Sequence, residues 1–159
     1  MSGTGTPASV AARRAGVEFS IHDVGTPDVG TEGYGPAVAA ALGVDPARVF
    51  KTLVAEIDSD LVVGIVPVAL SLDLKALAAA LGRKRAVMSE PMRAERATGY
   101  VRGGISPLGQ RRRLPTVIDA SAPTLPSIYV SAGRRGLELE LAPTDLIRLV
   151  GATVAAIAR

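Results

Sequence analysis

Cysteine is absent from the 159 residues, which excludes disulfides, thiolate metal sites and a cysteine nucleophile. Tryptophan is absent as well, and there are only two Phe and three Tyr, so the interior has to be built from Val, Leu, Ile and Ala. His22 is the only histidine. A Ser-His-Asp triad would have to use it, and without a second His no transition-metal site is expected. No run of eighteen apolar residues occurs, so a membrane span is not expected. Residues 1–19 carry no apolar block of secretory type, so no signal peptide is read. No cofactor is called for, and the cytoplasm is the expected location.

What is present is ordinary for a compact soluble protein: 48% hydrophobic and 21% charged residues, long enough for one domain with one substantial core. The net charge of +3 hides an uneven distribution. Residues 83–113 hold nine Arg or Lys (Arg83, Lys84, Arg85, Arg93, Arg96, Arg102, Arg111, Arg112, Arg113) against Glu90 and Glu95, a local +7, whereas the rest of the chain sums to −4. Such a concentration suits a polyanion, with nucleic acid the obvious one. A solvated surface in a chain that prefers Arg explains it equally well, since fifteen of the eighteen basic residues are Arg.

Periodicity and punctuation predict a mixed α/β domain of about seven short strands and five short helices, with the first six residues frayed. Helices are expected from Thr6–Pro7 to Gly16, from Pro36 to Gly43, after Asp73 to Gly82, from Pro91 to Gly99 and from Pro143 to Gly151. Strands are expected at Val17–Ile21, Val49–Ile57, Leu61–Leu70, Ala86–Ser89, Thr116–Asp119, Ser127–Ser131 and Leu137–Leu141. The pair around Asp58-Ser59-Asp60 reads as a hairpin, which argues against an all-parallel, doubly wound sheet.

The chemistry-bearing residues are sparse. Lys51 lies in the apolar strand VFKTLVAEI, where a lysine is rare unless it pairs or binds something. An edge-strand guard against aggregation is the plainer reading. Glu138 and Glu140 share one strand face, solvated by default in the case of Glu140 and less clearly so for Glu138. The loop GGISPLG, from Gly103 through Gly104, Ile105, Ser106 and Pro107, can bring backbone N–H groups close to a ligand as an oxyanion hole or anion nest. It fits neither a Walker A nor a Rossmann fingerprint. A second turn, SAGRRGLELE, starts at Ser131 and carries Arg134 and Arg135.

Taken together, VFKTLV, PVALSLDLKALAAALG, TGYVRGGISPLGQRRRLPTVID and IYVSAGRRGLELELAPTDLIRLV resemble the YbaK/EbsC family, free-standing relatives of the editing domain of bacterial prolyl-tRNA synthetase. The resemblance covers nearly all of residues 17–159. It implies a partly closed mixed sheet of six or seven strands surrounded by short helices, and the removal of a wrongly attached amino acid from tRNA. Cys-tRNA(Pro) is the preferred substrate of the YbaK branch and Cys-tRNA(Cys) a further one, the substrate thiol attacking its own ester to leave as a thiolactone. By resemblance Lys51 holds the tRNA terminus near the ester, Gly103 lines the reacting carbonyl, Ser131 lies near the amino-acid moiety, and Thr52 is a pocket position. The arginines at 83–85 (with Lys84), 111–113 and 134–135 would hold tRNA phosphates without reading sequence, and prolyl-tRNA synthetase is the expected partner. Other deacylase chemistry on a small residue such as Ala, or a tRNA-binding module without activity, are the alternatives.

Two departures from the branch bear on amino-acid preference. Val24 stands where a pocket tyrosine is found two residues after the strand histidine, with Tyr34 the nearby phenol, and Glu138 replaces an aspartate.

Overall fold

The computed structural model describes residues 5–159. Thr6 opens helix α1 (Pro7–Arg14): its hydroxyl accepts from the Ser9 N–H, the Ser9 hydroxyl accepts from the Thr6 N–H, and Pro7 fills the first turn. The Thr6 hydroxyl also donates to the Ala132 carbonyl at 2.5 Å. Thr6 is therefore anchored, which corrects the expected fraying at that position; residues 1–4 lie outside the described residues.

The remaining elements follow the punctuation closely: β1 (Phe19–Asp23), α2 (Tyr34–Leu42), β2 (Phe50–Ile57), β3 (Asp60–Pro67), α3 (Leu74–Ala80), β4 (Val87–Met88), α4 (Pro91–Thr98), β5 (Thr116–Asp119), β6 (Ile128–Arg134), β7 (Leu137–Leu141), α5 (Pro143–Val150) and β8 (Thr153–Ala155). Asp73 caps α3 by accepting from Ala76, and Gly99 and Gly151 close α4 and α5 in the left-handed conformation. Asp58 and Ser59 both take positive φ, 49° and 77°, the two-residue geometry that lets β2 and β3 twist together as a hairpin.

The class is mixed α/β, as expected, but the strands divide into two sheets. One is antiparallel in the order β1-β7-β6; the other runs β4-β2-β3-β5-β8, with β3/β5 and β5/β8 parallel. They meet where Val49 forms an isolated parallel bridge to Tyr129, so the closure is a corner between sheets rather than one curled sheet. The strand β8 is additional to the seven expected, because its three residues after Gly151 carry no local signal and exist by pairing with the distant β5. The expected extent of β3, to Leu70, is three residues too long: Pro67 ends the strand and Leu70 is exposed.

The interior is aliphatic. Its largest cluster, around Ile65, Ile118, Val130, Leu139 and Leu146, lies between the sheets and α1, α4 and α5. A second packs α3 onto the other face of the five-stranded sheet through Leu77, Ala78 and Ile57. The third packs α2 against Val49, Val68 and Tyr129, and beside it the functional cavity forms.

Candidate functional site

Between the first half of β2, the N-terminal turn of α2, the 101–105 loop and the β6–β7 turn lies a cavity of about 420 Å³. Lys51 and Thr52 contribute from β2, Tyr34 from α2, Gly103 and Ile105 from the loop, and Ser131, Arg135 and Glu138 from β6 and β7. Residues distant in the chain converge because β2 reaches both sheets: it pairs with β3 along its length and meets β6 at its first residues.

Lys51 is half-buried, and burial lowers its pKa. No ion-pair or hydrogen-bond partner for it exists among the described residues. A desolvated cation without a counter-ion costs folding free energy, so the edge-guard reading does not explain its position inside a cavity. Thr52 is 8% exposed, and its hydroxyl oxygen has no partner.

The two carboxylates that share a face of β7 diverge. Glu140 accepts from the Ser127 hydroxyl at 2.5 Å, contacts His22 Nε2 at 3.0 Å and faces Arg48 at 3.7 Å, outside the cavity. Glu138 is 5% exposed, lines the cavity and has no ion pair among the described residues. Burial pushes its pKa up to about 8, so it is predominantly neutral at pH 7 and available as a hydrogen-bond donor as well as an acceptor. Its cross-strand partner is Ser131, whose hydroxyl accepts from the Gly133 N–H at 3.1 Å across the bulge between Ser131 and Arg134.

Tyr34 enters the wall from the first position of α2. Its hydroxyl accepts from the Gly136 N–H at 2.5 Å, and the Arg135 guanidinium lies 4.1 Å above its ring. Val24 packs into the same small apolar cluster as Tyr34 and donates its N–H to the Gly136 carbonyl at 2.8 Å. A phenol ring therefore does line the cavity, delivered by α2 rather than by β1.

The glycine-rich loop divides by role. Gly103 has φ +88° and a Cβ there would stand 2.6 Å from the Arg135 guanidinium, so a bare backbone faces the cavity. Gly104 turns the other way, where a Cβ would meet the Arg134 backbone at 2.7 Å. Ser106 is fully buried, its hydroxyl accepting from the Leu108 N–H. Pro107 faces a different groove, with Arg112 and Arg113. Gly104, Ser106 and Pro107, expected as substrate contacts, are thus off the cavity wall: Gly104 packs on the Arg134 backbone, the Ser106 hydroxyl closes a local turn at Leu108, and Pro107 faces the second groove.

The basic residues separate as well. Arg135 is in the wall, and so is Arg102, whose side chain has no hydrogen-bond or ion-pair partner among the described residues. Arg83, Arg112 and Arg113 line a groove at the tip of the β2–β3 hairpin, six residues or about 20 Å along β2 from Lys51. Arg83 there is engaged with Asp58 at 3.0 Å and Asp60 at 3.5 Å. Arg111 lies over Gly99, and Lys84 and Arg85 are exposed. Arg102 and Tyr34 are among the wall residues that sequence reasoning leaves out of the site. The one signal for Arg102 is its place before Gly103-Gly104; Tyr34 is visible only as a phenol near Val24.

The cavity lacks the apparatus of a conventional hydrolase. Among the described residues no His or Cys lines it, no hydrogen bond joins the Ser131 hydroxyl to a base, and no group of three His, Cys, Asp or Glu could hold a metal. It offers an unpaired lysine, one neutral carboxyl, exposed backbone and an aromatic wall, equipment for holding and polarising a small ester.

The same fold is found in solved structures of other proteins. It superposes on a trans-editing enzyme proposed for prolyl-tRNA synthetase with a TM-score of 0.83, 21% identity and 99% of both chains covered. On the hypothetical protein APE2540 the TM-score is 0.86 at 21% identity, over 97% of this chain and 100% of that one. The sequence matches the aminoacyl-tRNA editing domain family over residues 35–149, and the chain belongs to that family. It is also 41% identical over 122 residues, 76% of this chain and 74% of the other, to EbsC of Enterococcus faecalis, whose name provisionally assigns it Cys-tRNA(Pro)/Cys-tRNA(Cys) deacylation.

Proposed function

We propose that this chain is a free-standing deacylase that clears cysteine from mischarged tRNA(Pro), and from tRNA(Cys), with the substrate thiol as nucleophile. The observation that carries the reading is a cavity without an activated nucleophile, in a relative of a protein named for that activity. The cysteinyl sulfur forms a bond to its own ester carbonyl carbon, the carbonyl–ribose oxygen bond breaks, and the thiol proton ends on the ribose oxygen. Cysteine thiolactone and free tRNA are the products, a lyase-type outcome without water. Lys51 holds the polar terminus of the tRNA beside the ester, Gly103 offers its backbone to the carbonyl, and Thr52, Ile105, Ser131, Tyr34 and neutral Glu138 shape the space for the amino acid. The domain acts as one unit in the cytoplasm. No helix of the described residues is long and apolar enough to cross a membrane.

Deacylation of Cys-tRNA(Pro), Ala-tRNA(Pro) and Ser-tRNA(Pro) by the purified protein tests the mechanism. Loss of the cysteinyl ester alone, with thiolactone trapped, is the expected result. Release of Ala or Ser at comparable rates would replace it with water-mediated hydrolysis.

The basic residues divide the binding energy. Replacing Arg112 and Arg113 by Ala should weaken tRNA binding and lower the slope of log K against log salt by about 0.7–0.9 for each phosphate no longer neutralised, while single-turnover deacylation at saturation stays unchanged. An unaltered salt slope would remove that groove from the tRNA path. Because such contacts are blind to sequence, choice of tRNA falls to a partner, prolyl-tRNA synthetase being the one proposed.

A further inference from the structure

A second cavity of about 340 Å³ adjoins the first. Thr52, Leu53, Arg102, Gly103 and Ile105 belong to both walls, so the two are lobes of one depression divided at Gly103. The rest of the second lobe is Val54, Met88, Ser89, Pro91 and Ala94, aliphatic apart from one hydroxyl, with Met88 48% exposed at its mouth.

Its floor is an unpaired strand edge. Facing away from β3, β2 is paired among the described residues only at its ends, through Val49 with Tyr129 and through Ala55 and Glu56 with β4. The Val54 carbonyl points to this edge, since it accepts from the Ser89 N–H. Alternate residues of an antiparallel strand direct their backbone groups to the same side, so Thr52 turns its N–H and C=O to this edge too, in the gap between the paired ends. Its partnerless hydroxyl is at the same seam.

We propose that this second lobe seats the terminal adenine of the tRNA, with the Thr52 backbone against the N1–N6 edge of the base. The proposal rests on the aminoacyl-tRNA reading. The amino acid is esterified to the ribose of the terminal adenosine, so the base lies one sugar away from the reacting carbonyl, and the second lobe lies across Gly103 from the first. Adenine presents a donor (N6–H) beside an acceptor (N1), which the C=O and N–H of one residue complement; a 6-oxo purine reverses that order. Leu53, Met88 and Pro91 offer apolar cover for the ring faces, and the Arg102 side chain stands at the seam to stack over the base.

The test is titration of the purified protein with adenosine 5′-monophosphate and, as the 6-oxo control, inosine 5′-monophosphate. Alongside it, the KM and kcat of wild type, Ser89→Trp and Met88→Asp are measured on Cys-tRNA(Pro). Adenosine monophosphate is expected to bind at least about tenfold more tightly than the inosine nucleotide, about 1.4 kcal/mol. Both variants should lose that binding and raise KM by a similar factor, with thermal unfolding as the folding control. Met88 is exposed, so its variant carries the test if Ser89→Trp fails to fold. Equal affinity for the two nucleotides, no binding at millimolar concentration, or variants that bind and turn over as wild type would overturn the assignment. Selective adenosine monophosphate binding by a protein that deacylates nothing would support the lobe and count against the deacylase reading.

Discussion

Replacing Lys51 by Met is expected to lower kcat/KM on Cys-tRNA(Pro) by about 10²–10³-fold, the usual effect of removing a preorganised charge from a reacting centre, without lowering thermal stability. The second half of that expectation sets this apart from a structural lysine. The Lys51 pKa is held below its ordinary value by burial, and no carboxylate compensates it among the described residues. The sign follows from linkage: a lysine with a folded pKa below the unfolded one opposes folding wherever it is charged, that is at neutral pH, and the penalty disappears above the unfolded pKa. Met keeps the alkyl stem and removes the charge, so Tm at pH 7 should stay level or rise. Lys51→Arg restores charge but brings a planar fork in place of a compact ammonium, and only partial recovery is expected. Near-normal turnover by Lys51→Met would take Lys51 out of the site; a sharp fall in Tm would make it structural.

The second large effect belongs to Glu138 and shows in the pH dependence. With a folded pKa of about 8 against 4.5 for an ordinary glutamate, the native state keeps a proton that the unfolded chain has released. Stability from this group is fully present below pH 4.5, declines as pH rises, and is lost by pH 8; across that window the decline is on the order of 3–5 kcal/mol. Glu138→Gln has no charge to desolvate, so it should unfold several degrees above wild type at pH 9 and at the same temperature at pH 4. Gln also keeps a donor and an acceptor. The ratio of wild-type to Glu138→Gln turnover should therefore be flat from pH 6 to 7 and fall above about pH 8, where the wild-type carboxyl ionises inside the cavity. Taking a ratio cancels the rise in rate from the substrate's own thiol. Parallel melting curves at every pH would show that Glu138 is solvated.

The residues differ in how far local sequence can place them. Lys51 stands out because a lone lysine interrupts a β-branched run, and Gly103 because two adjacent glycines mark backbone that a ligand can approach. Ser131 gains a role only through resemblance and Glu138 stands out only as a strand carboxylate less clearly solvated than Glu140, and β7 and β6 bring them side by side as a cross-strand pair. Gly104, Ser106 and Pro107 look like contacts and lie off the cavity wall, for a plain reason: residue type reveals that a loop is special, whereas the direction of each residue depends on what the loop packs against. For Gly104 that is the Arg134 backbone, on a strand thirty residues away. The arginine clusters look like one patch in the charge count and are two places in the fold, because the β2–β3 hairpin separates its tip from its base.

What the sequence by itself determined are the local quantities. The helix caps at Thr6 and Asp73, the hairpin at Asp58-Ser59, the aliphatic core, the absence of thiol and paired-imidazole chemistry, and the motifs that mark the editing family all depend on residues within a turn or two of one another. The tertiary structure alone decided the rest: the parallel pairing that creates β8, the arrival of Tyr34 and Arg102 in the wall, the neutrality of Glu138 and the unpaired edge at Thr52. Each of these is a matter of burial or of a missing neighbour. Burial and pairing are set by residues far apart in the chain, so no window of local sequence contains them.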